Sequence, residues 1–260
     1  MIPKIIHYCW LSDDPVPERL QKYMTSWKKY LPDYEFMKWD FHRFPKESCT
    51  WLSEAFDHKR YAFAADYIRI YALYHFGGIY VDMDVEVLKS FDDLLHLPYF
   101  LCYEDGNNSP EVAAFGAEKG NDFIGDLLNY YEGRHFVNRN GEVIKDSVIP
   151  LPIIFKRFLL NKGYFFIDVN NADDILKYYN QQTICLLPSD FFSPRSHKDG
   201  KIYCTKNSYC IHYFSGSWLP WYKRTDFVTK HQIISRIIWH LEHPLYEVRK
   251  MVKRIFLISK

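Results

Sequence analysis

An apolar run opens almost at the first residue, and residues 5–10 read as a buried first strand. The segment SDDPVPERL follows as a proline-containing loop that opens a helix, with Pro17 near the first turn. Leu20, Tyr23, Met24 and Trp27 then recur at helical spacing. A turn at Pro32-Asp33 leads into a second strand, residues 34–39. Strand, helix and strand in that order make a βαβ unit, which implies a parallel sheet. The clearest helix spans residues 59–76, KRYAFAADYIRIYALYHF, and Gly77-Gly78 ends it as a C-terminal glycine should. A strand over residues 79–83 follows at once and runs into Asp84.

Further along, the pattern predicts a second helix over residues 86–95, an apolar strand over 99–103, a polar loop over 104–110 and a helix near 122–131. Residues 132–147 are the most polar stretch and read as a surface loop. Residues 165–169, 183–187 and 209–213 read as later strands, and the chain then returns to helix. There is no internal repeat, no low-complexity tract and no linker between compositional halves. The simplest organisation is one α/β domain over residues 1–225 with a C-terminal helical extension over 226–260.

Composition changes this picture little. The 260 residues are 48% hydrophobic and 25% charged, the balance of a soluble globular protein. The aromatic share of 18% suits a thick aromatic core and a sugar-binding cleft equally. A net charge of +1 provides no global field for nucleic acid, so none is expected as a partner. The six cysteines form no CxxC pair, and the spacing of Cys204 and Cys210 suits no common zinc site, which fits a reducing compartment. No apolar run is long enough for a signal peptide or a membrane span, so the expected location is cytoplasmic, or peripheral at the inner face of a membrane.

The strongest chemical signal is GGIYVDMDVEV. Asp82 and Asp84 are two apart, so on an extended backbone both carboxylates point the same way. They follow an apolar strand, at the edge where open α/β sheets bind ligands. Two hard oxygen donors there suit Mg²⁺ or Mn²⁺, which keep further positions for water and phosphate. Two rival readings stand beside this one. Phosphohydrolases of the haloacid dehalogenase type also carry DxD after a strand, but they want Thr or Val at the fifth position, where this chain has Glu86. A non-catalytic protein that only binds its ligand would have no need of an intact metal set.

Three segments together, IPKIIHYCW, KRYAFAADYIRIYALYHFGGIYVDMDVEVLKSFDDLL and IHYFSGSW, resemble glycosyltransferase family 32. That family includes fungal initiating α-1,6-mannosyltransferases and bacterial capsule and lipopolysaccharide enzymes, with the large clostridial glucosylating toxins as distant kin. The resemblance implies a GT-A fold, a mixed and mostly parallel central sheet flanked by helices. It implies a metal cofactor (Mn²⁺ or Mg²⁺), retention of anomeric configuration and a nucleotide-sugar donor, with a UDP-hexose favoured and GDP-mannose as the alternative. The acceptor it implies is a glycan or lipid-linked glycan in surface-polysaccharide assembly.

Carried over residue by residue, Trp10 would stack on the nucleotide base. Asp66 would accept hydrogen bonds from sugar hydroxyls, and Arg69, one helical turn on, would reach the sugar and phosphate end. His212 would join Asp82 and Asp84 as the third metal ligand, and Ser217 and Trp218 would close over the diphosphate. His7 and Tyr80 complete the donor-binding set, and Asp66, Arg69 and Asp84 are the catalytic candidates. Where family members often carry Thr-Gly-Pro, this chain has SVIPLP at residues 147–152, so acceptor identity does not transfer. Glu104, Asp105, Asn107 and Asn108 follow a strand and are candidates to approach the sugar, or form a polar surface loop. Residues 245–260, LYEVRKMVKRIFLISK, interleave basic and apolar positions; such a helix either lies on anionic lipid or packs on the domain.

Overall fold

The computed structural model of the protein describes residues 1–106, 108–180, 182–197 and 199–216. Met1–Tyr213 make one compact unit, and the chain from Phe214 onward is a second. Asn107, Ser217, Trp218, the basic segment 245–260 and the expected domain boundary at residue 225 lie outside the described residues. Among the described residues, no helix is long and apolar enough to cross a membrane.

The βαβ unit forms as its pattern predicts. β1 (Ile5–Cys9) and β2 (Glu35–Trp39) run parallel, joined by α1 (Glu18–Tyr30), which buries Leu20 and Trp27. A short helix that the sequence did not announce, α2 (Thr50–Asp57), buries Trp51, Leu52 and Ala55 against the next one. Its N-terminus has no side-chain cap, so the usual start signal is missing. α3 (Tyr61–Phe76) packs against the sheet, against α2 and against the later α4 (Asp122–Asn129). That explains why Phe63, Ala64, Ile68, Ile70, Ala72 and Leu73 are buried on several of its sides rather than along one stripe.

Gly77 caps α3 in the left-handed region at φ +67°, its N–H bonded to the Leu73 carbonyl. β3 (Gly78–Val81) follows and lies beside β1 in parallel, all four of its residues buried. The chain then leaves the sheet. Residues 86–95 are not a helix: β4 (Val85–Val87) is a strand, followed only by a 3₁₀ turn at Asp92–Leu94. The partner of β4 is β9 (Cys210–His212), far along the chain, and that long-range pairing overrides local helix propensity.

The chain returns through β5 (Tyr99–Phe100) and a strand the sequence missed, β6 (Ala114–Ala117). β6 pairs antiparallel with both β3 and β5, giving the order β2-β1-β3-β6-β5. Only β6 runs against the others, so the sheet is mixed and mostly parallel with helices packed on it, as expected for the GT-A class. β6 has AFGA where a clear alternation would be expected, and its Gly116 is required by packing. A Cβ there would meet the Phe100 ring at 2.5 Å.

The remainder covers the sheet. α5 (Leu151–Asn161) begins inside the segment SVIPLP, with Pro152 in its first turn, and buries Leu151, Ile154, Phe155 and Leu159. β7 (Phe165–Asp168) and β8 (Thr183–Leu186) pair in parallel around the short α6 (Asp174–Tyr178). Among the described residues, many of the aromatic side chains go into the core. Phe91 and Phe192 pack against each other and against both Phe100 and Tyr209, with ring centroids 5.1–6.4 Å apart, and the cluster anchors the approach to β9.

Gly78 has φ +107°, and a Cβ on it would stand 2.7 Å from the Ile5 carbonyl oxygen and 3.1 Å from His7 Nε2. Gly78→Ala is therefore expected to lower the stability measured by urea unfolding by roughly 2–4 kcal/mol, from backbone strain plus overpacking. Gly141, at φ +76° with nothing within 4 Å, serves as the control. Its substitution by Ala is expected to cost about 1 kcal/mol, from backbone conformation alone. Equal losses at the two positions would show that the β1–β3 contact is not tight.

Candidate active site

Three parallel strands end side by side. β2 runs into Asp40, β1 into Trp10 and β3 into Asp82. Neighbouring strands lie only about 4.8 Å apart, so groups at these ends fall within the span of one small ligand.

Asp82 and Asp84 are not on extended backbone. The Val85 N–H bonds to the Asp82 carbonyl at 3.0 Å, which closes a turn over residues 82–85. The turn redirects the chain into β4, and its cause is the pairing of β4 with β9. In that pairing Val85 stands opposite His212, and the Tyr213 N–H bonds to the Asp84 carbonyl. The outcome still gathers the expected ligands, with one donor atom each from Asp82, Asp84 and His212 within 4.8 Å of one another. Two carboxylates and an imidazole are a donor set suited to Mn²⁺ or Mg²⁺. The site's electrostatics fit a cation as well. Asp82 has its carboxyl pushed up by burial and by the neighbouring Asp84, against the opposing pull of Arg69.

Arg69 lies behind this turn and is buried. One Nη donates to the Val112 carbonyl at 2.7 Å, and the other lies 3.2 Å from Asp66 and 3.3 Å from Asp82. The guanidinium thus holds the protein's own carboxylates, and its Nε has no hydrogen-bond partner. Asp66 is 8% exposed. Burial raises its carboxyl to about 7 although Arg69 opposes the shift. Tyr80 is buried beneath the turn, donates its hydroxyl to Asp82 at 2.9 Å and stacks on the Arg69 guanidinium. Its place is to support Asp82. His7 does not join the site. It is fully buried, its Nε2 lies 2.7 Å from the Gly77 carbonyl, and its Nδ1 accepts from the Trp39 indole. Burial drives its pKa down to about 4, so it is a neutral core histidine.

Trp10 borders a cleft of about 560 Å³ formed by residues 10–16, 38 and 40–42. Its indole N–H donates to the Asp14 carbonyl at 2.8 Å, which fixes the ring's orientation. Cys9 sits between this cleft and the carboxylates: its thiol is pushed up by burial and feels Arg69, Asp82, Asp40 and Asp66. Glu104 and Asp105 are tied to His197, and Asn108 to Lys156, so those contacts shape the 104–110 loop.

One site residue was passed over in the sequence. Glu111 is 2% exposed, and its Oε2 lies 3.1 Å from His212 Nδ1. Its neighbours also serve the site, because the Val112 carbonyl accepts from Arg69 and the Ala113 carbonyl accepts from the Asp82 N–H at 2.7 Å. The signal that would have found it is β6, whose AFGA sequence hides the strand.

Comparison with known proteins bears on this geometry. Residues 17–101 match the family described as a glycosyltransferase sugar-binding region containing the DXD motif. A mannosyl phosphorylinositol ceramide synthase of Saccharomyces cerevisiae is 34% identical over 105 residues, 39% of this chain and 27% of its own. Inositol phosphoceramide mannosyltransferase 3 of Schizosaccharomyces pombe is 36% identical over 101 residues, 37% of this chain and 28% of its own. In both cases the matched stretch spans less than a third of the relative's length. The solved structure of the PaToxG glycosyltransferase aligns with a TM-score of 0.46 at 18% identity, over 62% of this chain and 70% of that one.

The buried charges make stability depend on pH. Burial alone would lower the pKa of His212, but Glu111 and Asp84 outweigh it and raise it to about 9. A histidine raised from 6.5 contributes stability that is complete below pH 6.5 and is lost as pH climbs through about 9. Asp66, raised from 3.8 to about 7, likewise favours the folded state at low pH, but in a lower window. For the metal-free protein, the urea midpoint is expected to fall across the upper window, and His212→Gln is expected to remove that fall while leaving the lower one. A midpoint that rises through this range would contradict the assignment.

Proposed function

We propose that this chain, whose residues 17–101 match the family of glycosyltransferase sugar-binding regions containing the DXD motif, is a metal-dependent transferase moving a hexose from a nucleotide sugar to a hydroxyl of a glycan or lipid-borne acceptor. The observation that carries the reading is the gathering of Asp82, Asp84 and His212 at the strand ends, one strand away from the Trp10 cleft. The Trp10 ring would take the base, and the three ligands would hold the metal at the diphosphate. Bound there, Mn²⁺ or Mg²⁺ would stabilise the negative charge that develops on the departing nucleotide.

The chain's own residues supply positioning. Arg69 and Tyr80 fix Asp82, and Asp66 offers its carboxyl beside them to sugar hydroxyls. The carboxylates gathered around the metal position already have tasks. Asp82 and Asp84 face the metal position, Asp66 is paired with Arg69, and Glu111 is bonded to His212. None is placed to form a covalent sugar intermediate, which favours retention by front-face attack, with the departing phosphate oxygen taking the acceptor's proton.

The relatives' names describe mannosyl transfer to inositol phosphoceramide. For the present chain we therefore place GDP-mannose ahead of a UDP-hexose as donor, and a lipid-borne glycan or polyol ahead of capsular or lipopolysaccharide chains as acceptor. A lipid acceptor accords with a cytoplasmic enzyme that works at a membrane surface.

Activity against a panel of nucleotide sugars should vanish on chelation and return with Mn²⁺ or Mg²⁺. Asp84→Ala should lower turnover by roughly 10²- to 10³-fold, the scale of losing one electrostatic stabiliser. Full activity in that variant would remove the carboxylate pair from the mechanism.

Trp10→Ala should weaken nucleotide binding by about 1–3 kcal/mol, the range for a base stacked on an aromatic ring. Calorimetry with GDP and UDP measures it. An unchanged affinity for both would place the base elsewhere.

A further inference from the structure

The His212 ring has two nitrogens, and each faces a carboxylate of the protein. Nδ1 lies 3.1 Å from Glu111 Oε2, and Nε2 lies 3.7 Å from Asp84 Oδ1. We propose that Glu111 is a positioning residue for the metal site: it accepts the Nδ1–H of His212 and thereby turns the Nε2 lone pair toward Asp82 and Asp84. This rests on the metal-binding reading of those three residues.

A carboxylate only accepts hydrogen bonds, so the ring nitrogen facing it must carry the proton. The other nitrogen, which faces Asp84, is then the one whose lone pair can turn to a cation. Outer-sphere carboxylates commonly act on histidine ligands in this way, fixing the ring and raising its basicity. The carboxylate is itself held. Its Oε1 accepts the Ala113 N–H at 2.8 Å, the Ser193 hydroxyl bonds to it, and its own N–H donates to the Cys102 carbonyl at 2.8 Å. Glu111 is 2% exposed, so it cannot swing out to solvent. Nor does it belong to the ligand set, since the gathered donor atoms are those of Asp82, Asp84 and His212. It stands on the Nδ1 side of the ring, whereas Asp84 stands on the Nε2 side.

Glutamine cannot replace it. An amide has one accepting end, and Glu111 must accept from both His212 and Ala113. The test uses Mn²⁺ alone, titrated into the full chain and followed by the electron paramagnetic resonance of the free ion. Glu111→Gln should raise the Mn²⁺ Kd by at least about tenfold, the lower end for losing an outer-sphere partner. In a His212→Ala background the same substitution should change Kd by less than about twofold, because two residues that act through one contact are not additive. Ser193→Ala, which removes one hydrogen bond to Glu111, is a milder variant should Glu111→Gln not fold. It should show a smaller loss with the same dependence on His212.

Equal loss in both backgrounds, or no loss in either, would overturn the positioning role while leaving the metal site in place. A wild-type protein that does not bind Mn²⁺ would overturn the metal reading itself, and this inference with it.

Discussion

The site depends on one piece of pairing, the antiparallel contact of β4 with β9. The sheet alone can present Trp10 and Asp82 at its edge, because those residues simply follow β1 and β3. It cannot bring an imidazole to the carboxylate pair, since the His7 ring on β1 is held in the core. One arrives only because Val85 lies opposite His212 and the Tyr213 N–H bonds to the Asp84 carbonyl. The β4 strand is in turn fastened to α1, since the Trp27 indole donates to the Val85 carbonyl and the Val87 N–H donates to the Ser26 hydroxyl. The turn over residues 82–85 that breaks the extended run of the carboxylate pair is the geometric cost of leaving the sheet for that partner.

Around this junction buried charges alternate in sign, from Asp66 to Arg69 to Asp82, then from Asp84 to His212 to Glu111. Unit charges near 4 Å apart interact by about 4 kcal/mol at an effective dielectric of ~20. That attraction does not cancel the loss of water around Asp66, whose carboxyl still rises to about 7. It does reverse the effect of burial on His212, which has acidic partners on both sides. The backbone of residues 111–113 links the two halves. Glu111 holds the histidine, the Val112 carbonyl holds the arginine, and the Ala113 carbonyl holds the Asp82 N–H.

Much of this was legible in the sequence where local pattern and final environment agree. The βαβ unit, α3 with its glycine cap, and the placement of the acidic pair after β3 all follow from periodicity and turn chemistry. His212 was legible through its motif, though the contact that delivers it was not. Residues 86–95 looked helical, and a three-residue strand paired across most of the chain leaves no local trace. β6 was hidden for a packing reason: its small residues are dictated by the Phe100 ring pressed against Gly116. Glu111 was lost with it. Arg69 and His7 show a different limit. Their residue types suited ligand contact, but burial gives one to the protein's own carboxylates and the other to the Gly77 carbonyl and the Trp39 indole.

The span of the β4–β9 pairing also bears on how the site comes into being. Glu86 and Tyr213, joined by a 2.6 Å hydrogen bond at this junction, are 127 positions apart. Closing so long a loop costs entropy that grows only slowly with length, as about (3/2)RT ln n, but it must be met before any local contact rewards it. The strands bearing Trp10 and Asp82 can assemble from the first half of the chain, whereas the histidine ligand waits for nearly all of it. The cluster of Asp82, Asp84 and His212 is therefore complete only once β9 has paired with β4. A cation that bridges Asp84 and His212 would act as a clasp across this long loop, and a chain cut short before β9 would keep the Trp10 cleft and lose the third member of the cluster.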